Sequence, residues 1–335
     1  MIKEALTDLA LGKDLERGTM VSVMDLIMEG EASPAQIGGF LMGLRIKGET
    51  VEEITGAAMV MREKARKIKS PGPCIDTCGT GGDHSLTFNI STASAFVAAG
   101  ADVMVAKHGN RAASSACGSA DVLAALGVNI EVGPPVVEAC LLEANIGFLF
   151  APALHGAMRH AIGPRREMGM RTIFNVLGPL TNPAGATRQL LGVFDPSLTE
   201  VMATVLKNLG SEAAMVVHGS DGLDEITVTG PTQVSELKDG KISTYKISPD
   251  EVGLKSHKKE DLIGGSPKDN AMILRQVLEN REGPPRDAVA INAGAAIYVA
   301  GKAADLSEGV RVALESISSG RALESLEKLV RISNQ

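Results

Sequence analysis

The segment Asp76-Thr77-Cys78-Gly79-Thr80-Gly81-Gly82-Asp83 sets three glycines between two carboxylates. Such glycines let backbone N–H groups approach an anion closely, because no side chain stands in the way. The order is neither G-x-G-x-x-G nor G-x-x-x-x-G-K-[ST], so neither a dinucleotide fingerprint nor a Walker A loop is present. Thr87-Phe88-Asn89-Ile90-Ser91-Thr92-Ala93-Ser94 follows. Its hydroxyl and amide groups crowd an expected helix N-terminus, a ready anion site. A Gly-rich turn before an ordinary N-cap would leave the same pattern, so this segment alone leaves both readings open. Lys107-His108-Gly109-Asn110-Arg111, running into Ala112–Ser119, is a second candidate. Two cations flank a glycine and hydroxyls follow, which suits phosphate; a solvated basic turn is the alternative. The third feature is Asp224-Glu225. Adjacent carboxylates on a loop can face one cation, whereas on a strand they point apart. Mg²⁺ takes one or two carboxylates plus substrate phosphates, so the two anion loops give this pair a use beyond a solvated acidic turn.

Elements that bring these loops together are legible around them. After Ser70-Pro71-Gly72-Pro73, short apolar runs alternate with helical stretches. The runs predict strands at Cys74–Thr77, Val103–Ala106, Gly147–Phe150, Gln189–Val193 and Ala214–Val217. The stretches predict helices at Ser91–Ala99, Ser119–Leu126, Pro135–Ala144 and Leu198–Leu209. Such alternation implies a mainly parallel sheet covered on both faces, with the loops after its strands sharing one edge. Residues 225–247 read as antiparallel strands around Asp239-Gly240, and the chain from Ser266 onward as helices. Residues 1 to about 68 read as helices only. Ile2, Ala5, Leu6, Leu9 and Ala10 share one face. Ser33-Pro34-Ala35-Gln36 is a capping-box start, and Thr50-Val51-Glu52-Glu53 opens a helix expected to end near Lys67. Gly38, Gly39 and Gly43 suggest close helix–helix approach or a merely weakened helix.

Composition bounds the function. Apolar residues make up 44% of 335 residues and charged residues 22%, which supports a sizeable core in about two domains. The net charge of −7 argues against nucleic acid as the main partner. No apolar run reaches bilayer length, and the acidic start lacks a signal-peptide core, so a cytoplasmic protein without membrane contact is expected. Aromatics are 3% and glycines number 37, a composition suited to helices packed on a parallel sheet with loops close to a ligand.

In order, GTGGD, TFNIST, KHGNR with GSADVL, the Arg165 segment PRR, RTIFNVLGPLTNP and HGSDGLDE resemble the anthranilate phosphoribosyltransferase family over nearly the whole chain. That family shares a superfamily with pyrimidine nucleoside phosphorylases. The resemblance implies an α/β fold: a small helical domain plus a larger α/β domain with a mainly parallel central sheet. The helical, dimerising part would be residues 1–68 with about 163–180. The α/β part would be 72–162 with 181–335. A homodimer is implied. Phosphoribosyl diphosphate would be held by Gly79, Gly82, Asp83, Thr87, Asn89, Ile90, Ser91 and Thr92. Lys107, His108, Gly109, Asn110, Arg111, Ala112, Ala113, Ser114, Ser115 and Ser119 would close over it. Gly79, Asn110 and Arg165 would contact anthranilate, with Arg165 facing its carboxylate. Ser91, Asp224 and Glu225 would bind Mg²⁺, two ions being implied, and no side chain is assigned as a catalytic acid, base or nucleophile. Ala112-Ala113 and Cys117 depart from the family's usual residues and bear on loop closure. A nucleoside phosphorylase and a non-enzymatic nucleic-acid-binding paralogue are the alternatives. The first expects a Lys-His-Ser loop, and the second a basic chain without the acidic pair.

The remaining histidines and cysteines divide. His108 is expected in the site as a hydrogen-bond donor; His155 and His160 line an access route or pack. His84 and His218 read as structural, and His257 as part of a solvated turn. Cys74 and Cys78, spaced C-x₃-C with no second pair, do not suggest zinc. Cys117 and Cys140 read as small helix residues, and the 14 methionines as core filler.

Overall fold

Ser33 and Thr50 begin their helices as the sequence predicts. The Ser33 hydroxyl accepts from Gln36 N while the Gln36 side chain accepts from Ser33 N, at 3.3 and 2.9 Å. Thr50 and Glu53 repeat this reciprocal pair at 3.3 and 2.8 Å. In the computed structural model, which describes every residue except His84 and residues 113–115, four helices open the chain. They are α1 (Ile2–Ala10), α2 (Arg17–Glu29), α3 (Pro34–Lys47) and α4 (Val51–Lys64). Gly39 and Gly43 do let helices approach: a Cβ on either would press on Leu6 or Leu9 of α1. Gly38 has no neighbour within 4 Å among the described residues and does not serve that purpose. Helix α4 stops at Lys64, short of Lys67, because Ala65 turns extended and the next amides bond elsewhere. Arg66 N donates to Leu154 O and Ile68 N to Pro183 O, at 2.8 and 3.1 Å.

Alternating elements follow: β1 (Ile75–Gly79), α5 (Ile90–Gly100), β2 (Val105–Gly109), α6 (Ser119–Ala125), α7 (Pro134–Ala144) and β3 (Ile146–Phe150). The chain then passes through α8 (Ala151–Leu154), α9 (Arg159–Met168) and α10 (Phe174–Leu177) before β4 (Arg188–Gly192), α11 (Leu198–Asn208) and β5 (Ala213–Gly219). A hairpin, β6 (Thr232–Lys238) and β7 (Lys241–Ile247), and four helices, α12 (Pro267–Leu278), α13 (Pro284–Val299), α14 (Leu306–Ser318) and α15 (Arg321–Ser333), complete it. The strands form one sheet in the order β3-β2-β1-β4-β5-β6-β7. The first five are parallel and the hairpin is antiparallel. Asp239 and Gly240 turn it with positive φ at both positions, the tight turn that matches strand twist. The hairpin starts at Thr232, later than the predicted 225, because Thr227 and Thr229 hydroxyls bond Asp221 and hold the preceding stretch as a loop.

Side chains alternate between the sheet's two faces. Leu190, Met215 and Val217 join the core formed with α5 and α13, while Leu191, Ala214 and Val216 join one formed with α11 and the helical bundle. The bundle thus shares a continuous apolar core with one face of the sheet. Helix α9 packs against α2 and α3, and α10 against α4, so the middle of the chain returns to the bundle. The expected return segment, about 163–180, is part of a longer stretch that begins at the turn Gly156–Met158, which already touches α2. No helix among the described residues is long and apolar enough to cross a membrane. Met42, Met59, Met170 and Met272 are exposed, so the methionines are not all core filler.

Candidate active site

The loops after β1, β2 and β5 meet at the C-terminal edge of the parallel strands, where ligands bind in open α/β sheets. Gly81 and Gly82 hold φ of +64° and +77°, the left-handed region that favours glycine. Gly81 N donates to Asp224 Oδ2 at 2.7 Å, and Ser91 N to Glu225 Oε1 at 3.1 Å. The adjacent carboxylates therefore cap two different anion-type donors, the glycine loop and the N-terminus of α5. Glycines make room for them: a Cβ on Gly79 would strike the Asp224 carboxylate, and one on Gly192 its backbone.

Electrostatically the pair is strained. Burial, followed by the charge of Asp83, pushes the Asp224 carboxyl up to about 7. Burial and the Asp224 charge hold Glu225 well above the usual carboxylate range. Like charges brought together raise each other's pKa, and a cation among them reverses that effect. Lys107, 2% exposed, donates to Thr77 O and to Ser91 Oγ, the latter at 3.2 Å. Burial lowers its pKa, and Asp76, Cys78 and Glu225 oppose that shift.

Other expected residues fall around this centre. Asn89 Nδ2 donates to Cys117 O at 3.1 Å, tying the first loop to the second, and Asn270 donates to Asn89 Oδ1 at 3.0 Å. Asp83 accepts from Ser85, whose hydroxyl lies 3.3 Å from Thr87 Oγ1. Ile90 begins α5, and the buried Thr92 hydroxyl has no protein partner among the described residues. Ser119 Oγ reaches Asn110 O at 3.4 Å and packs over Gly109. Asp121 gathers the second loop by accepting from Ala112 N and Gly118 N, each at 2.9 Å, and pairs with Arg111. Ala113, Ser114, Ser115 and His84 lie outside the described residues.

Two expectations change. The His108 ring is not an open donor in the loop. It is buried, with Nδ1 3.2 Å from Gly178 O and Nε2 3.2 Å from His155 Nε2. His257 is not in a solvated turn: its ring meets Asp287 at 2.8 Å and its backbone N–H donates to Val228 O. His218 is structural, with Nδ1 2.8 Å from Val193 O, and His160 packs against Gly30. Arg165 lies over the Phe174 ring at 4.9 Å. Among the described residues its ring contact is with its own segment, and no hydrogen bond ties it to Gly79 or Asn110.

Sequence reasoning gave no individual role to Asp76, Asn182 and Arg171. Asp76 is fully buried and accepts from His108 N at 3.1 Å and Asn182 Nδ2 at 2.8 Å. A lone carboxylate in a buried strand beside a buried lysine on the next strand was its available signal. Arg171 and Asn182 stand in the RTIFNVLGPLTNP segment, but only the returning chain brings Arg171 to Gly82.

The glycosyl transferase family's helical bundle domain matches residues 3–65 and its a/b domain residues 71–323. The anthranilate phosphoribosyltransferase of Acetivibrio thermocellus is 54% identical, covering 100% of this chain and 97% of its own. That of Alkaliphilus metalliredigens is 56% identical, with 100% and 99% covered. The crystal structure of the Thermus thermophilus enzyme superposes with a TM-score of 0.94 at 46% identity over 99% of both chains. The Saccharomyces cerevisiae enzyme in complex with PRPP and Mg gives 0.85 at 30% identity, over 98% of this chain and 93% of that one. With matches of this extent at both levels, the chain belongs to the anthranilate phosphoribosyltransferase family.

Proposed function

We propose that the protein transfers the phosphoribosyl group of 5-phosphoribosyl 1-diphosphate to the amine of anthranilate, releasing diphosphate, in L-tryptophan biosynthesis. The observation that carries this reading is the meeting of Asp224 with Gly81 and of Glu225 with Ser91, beside Lys107, at one strand edge. Anion donors and cation-binding carboxylates stand there within one contact of each other, as a magnesium-bound diphosphate requires. Kinship with the yeast enzyme, whose structure holds PRPP and Mg, supports it.

The donor set fits Mg²⁺: the carboxylates of Asp224 and Glu225 and the Ser91 hydroxyl are all hard oxygens. Among the described residues no three His, Cys, Asp or Glu side chains cluster as a metal site. Substrate phosphate and water would complete the coordination, and two ions are the reading adopted. Bound there, Mg²⁺ stabilises the charge that develops on the departing diphosphate. The Gly79–Asp83 loop, Thr87 and the Asn89–Thr92 segment hold the donor through backbone amides and hydroxyls. Lys107 adds a fixed positive charge under them. Arg165 grips the anthranilate carboxylate, with Gly79 and Asn110 orienting the ring. An aromatic amine is already neutral at pH 7, so the site needs no strong general base.

A homodimer formed through the helical bundle accords with exposed Leu11, Met42 and Ile46 on and beside α1 and α3. A cytoplasmic location accords with four free cysteines. The purified protein should consume anthranilate fluorescence only when phosphoribosyl diphosphate and Mg²⁺ are both present. Unchanged fluorescence in the complete mixture would overturn the reading.

A further inference from the structure

Helix α9 ends at Gly169, φ +60°, and the chain then carries Arg171 across the cleft. Thr172 N donates to Asn175 Oδ1 at 2.9 Å and fixes the turn that presents it. The Arg171 guanidinium lies 4.3 Å from the Phe194 ring centroid and donates through Nη2 to Gly82 O. Phe194 N in turn donates to Thr80 Oγ1 at 3.1 Å. One side chain from the bundle side therefore engages the phosphate loop twice, directly at Gly82 and through Phe194 at Thr80. Beside it lies a pocket of about 150 Å³ lined by Arg171 itself and by Arg45, Glu49, Asn175, Phe194 and Asp195.

Arg165 stands on the same returning segment, six residues earlier. We propose that Arg171 is a positioning residue that couples the two substrates. Phosphoribosyl diphosphate in the Gly79–Asp83 loop fixes Gly82, Gly82 fixes Arg171, and Arg171 fixes the segment from which Arg165 reaches the acceptor carboxylate. This rests on the substrates assigned above. A mechanical link of this kind is a coupling free energy, so each ligand tightens the other by the same factor. Stacking and a directed hydrogen bond together ask for a guanidinium; an ammonium reproduces only part of that geometry.

The test is calorimetric titration with benzoate, which keeps the carboxylate and lacks the nucleophilic amine, with and without saturating Mg²⁺ and phosphoribosyl diphosphate. The unsubstituted protein should bind benzoate more tightly with the donor present, by a factor on the order of 5 to 150. Arg171→Ala should bring that factor to about 1 and Arg171→Lys to an intermediate value. Phe194→Leu, which removes the stack but not the hydrogen bond, should also lower it, and it carries the test should Arg171→Ala not fold. Full coupling in these variants overturns the proposal. So does a parent protein that transfers phosphoribosyl groups but shows no coupling. Failure of the parent to transfer at all would overturn the proposed function itself, and the coupling with it.

Discussion

Asp224 and Glu225 are neighbours in sequence yet hold different partners, Gly81 and Ser91. Replacing either carboxylate by its amide removes one charged oxygen from the proposed Mg²⁺ set while keeping the shape. Asp224→Asn and Glu225→Gln should each lower activity, with part of the loss recovered as Mg²⁺ is raised in a steady-state titration. Equal activity and equal Mg²⁺ dependence in both variants would remove the metal assignment. Arg165 answers to a different measurement. A charge-assisted contact to a carboxylate contributes about 1.5–3 kcal/mol, so Arg165→Ala should raise the anthranilate KM roughly ten- to a hundredfold. The donor KM should change little. Arg166 is exposed on the same helix and serves as the control; the defect appearing at Arg166 instead would shift the register of α9. At this scale the proposed phosphate loops stood out in the sequence because their chemistry is local, glycines and hydroxyls within a few positions. The roles of Asp76 and Arg171 did not, because each acquires its partner from a distant segment.

Strand ends place these residues, and glycines decide how closely the elements stack. A methyl on Gly192, the last residue of β4, would overlap the Asp224 backbone. The obstacle is main chain, so relief requires moving the loop that carries both carboxylates. Gly192→Ala should cost about 1–3 kcal/mol in urea unfolding and most of the activity. Gly18→Ala in α2, which meets nothing within 4 Å, should cost neither. The elements themselves were readable: short apolar runs gave every parallel strand, and capping residues gave the starts of α3 and α4. Ends were less so. Helix α4 stops early because amides beyond it bond two other chain crossings, a tertiary demand with no local signature. Near those crossings lies the buried His108–His155 pair, which opposes acidification. Burial, with each ring's charged surroundings added, brings His108 down to about 3 and His155 to about 4, from an ordinary ~6.5. As pH falls from about 6.5 toward 4, these two rings take up protons in the unfolded chain that they refuse in the folded one, so their contribution to stability declines on acidification. Asp76, raised to about 6, and Asp224, raised to about 7, both chiefly by burial, act in the opposite direction from about 4 up to those values. Glu225, raised well above the carboxylate range, acts with them. The histidine pair's part is therefore read as a difference between variant and parent. His155→Gln should make the decline shallower by up to about 1.4 kcal/mol per pH unit. Urea titrations at pH 7, 6 and 5 read this directly, and parallel slopes in the two proteins would show that the ring does not titrate on unfolding.

For the molecule as a whole, the bundle and the sheet are joined by core rather than by linkers alone. The bundle's apolar residues continue into α11 and one sheet face. Arg62 straps that junction by donating to Leu180 O and Leu209 O at 2.6 and 3.1 Å. The two-part organisation was legible from the punctuation at Ser70–Pro73; the shared core was not, since it depends on which face of α4 meets α11. Arg62 packs one part of the junction, and a pocket of about 150 Å³ lies beside Arg171 elsewhere along it. Arg165 belongs to the bundle side and the phosphate loops to the sheet side, so binding both substrates should draw the halves together. Small-angle scattering should show a smaller radius of gyration with Mg²⁺, phosphoribosyl diphosphate and benzoate than with no ligand. Arg171→Ala should compact less under the same ligands, because the link to Gly82 is gone. An unchanged radius in the parent protein would mean that the site is complete as it stands and that its two walls are already in their working positions.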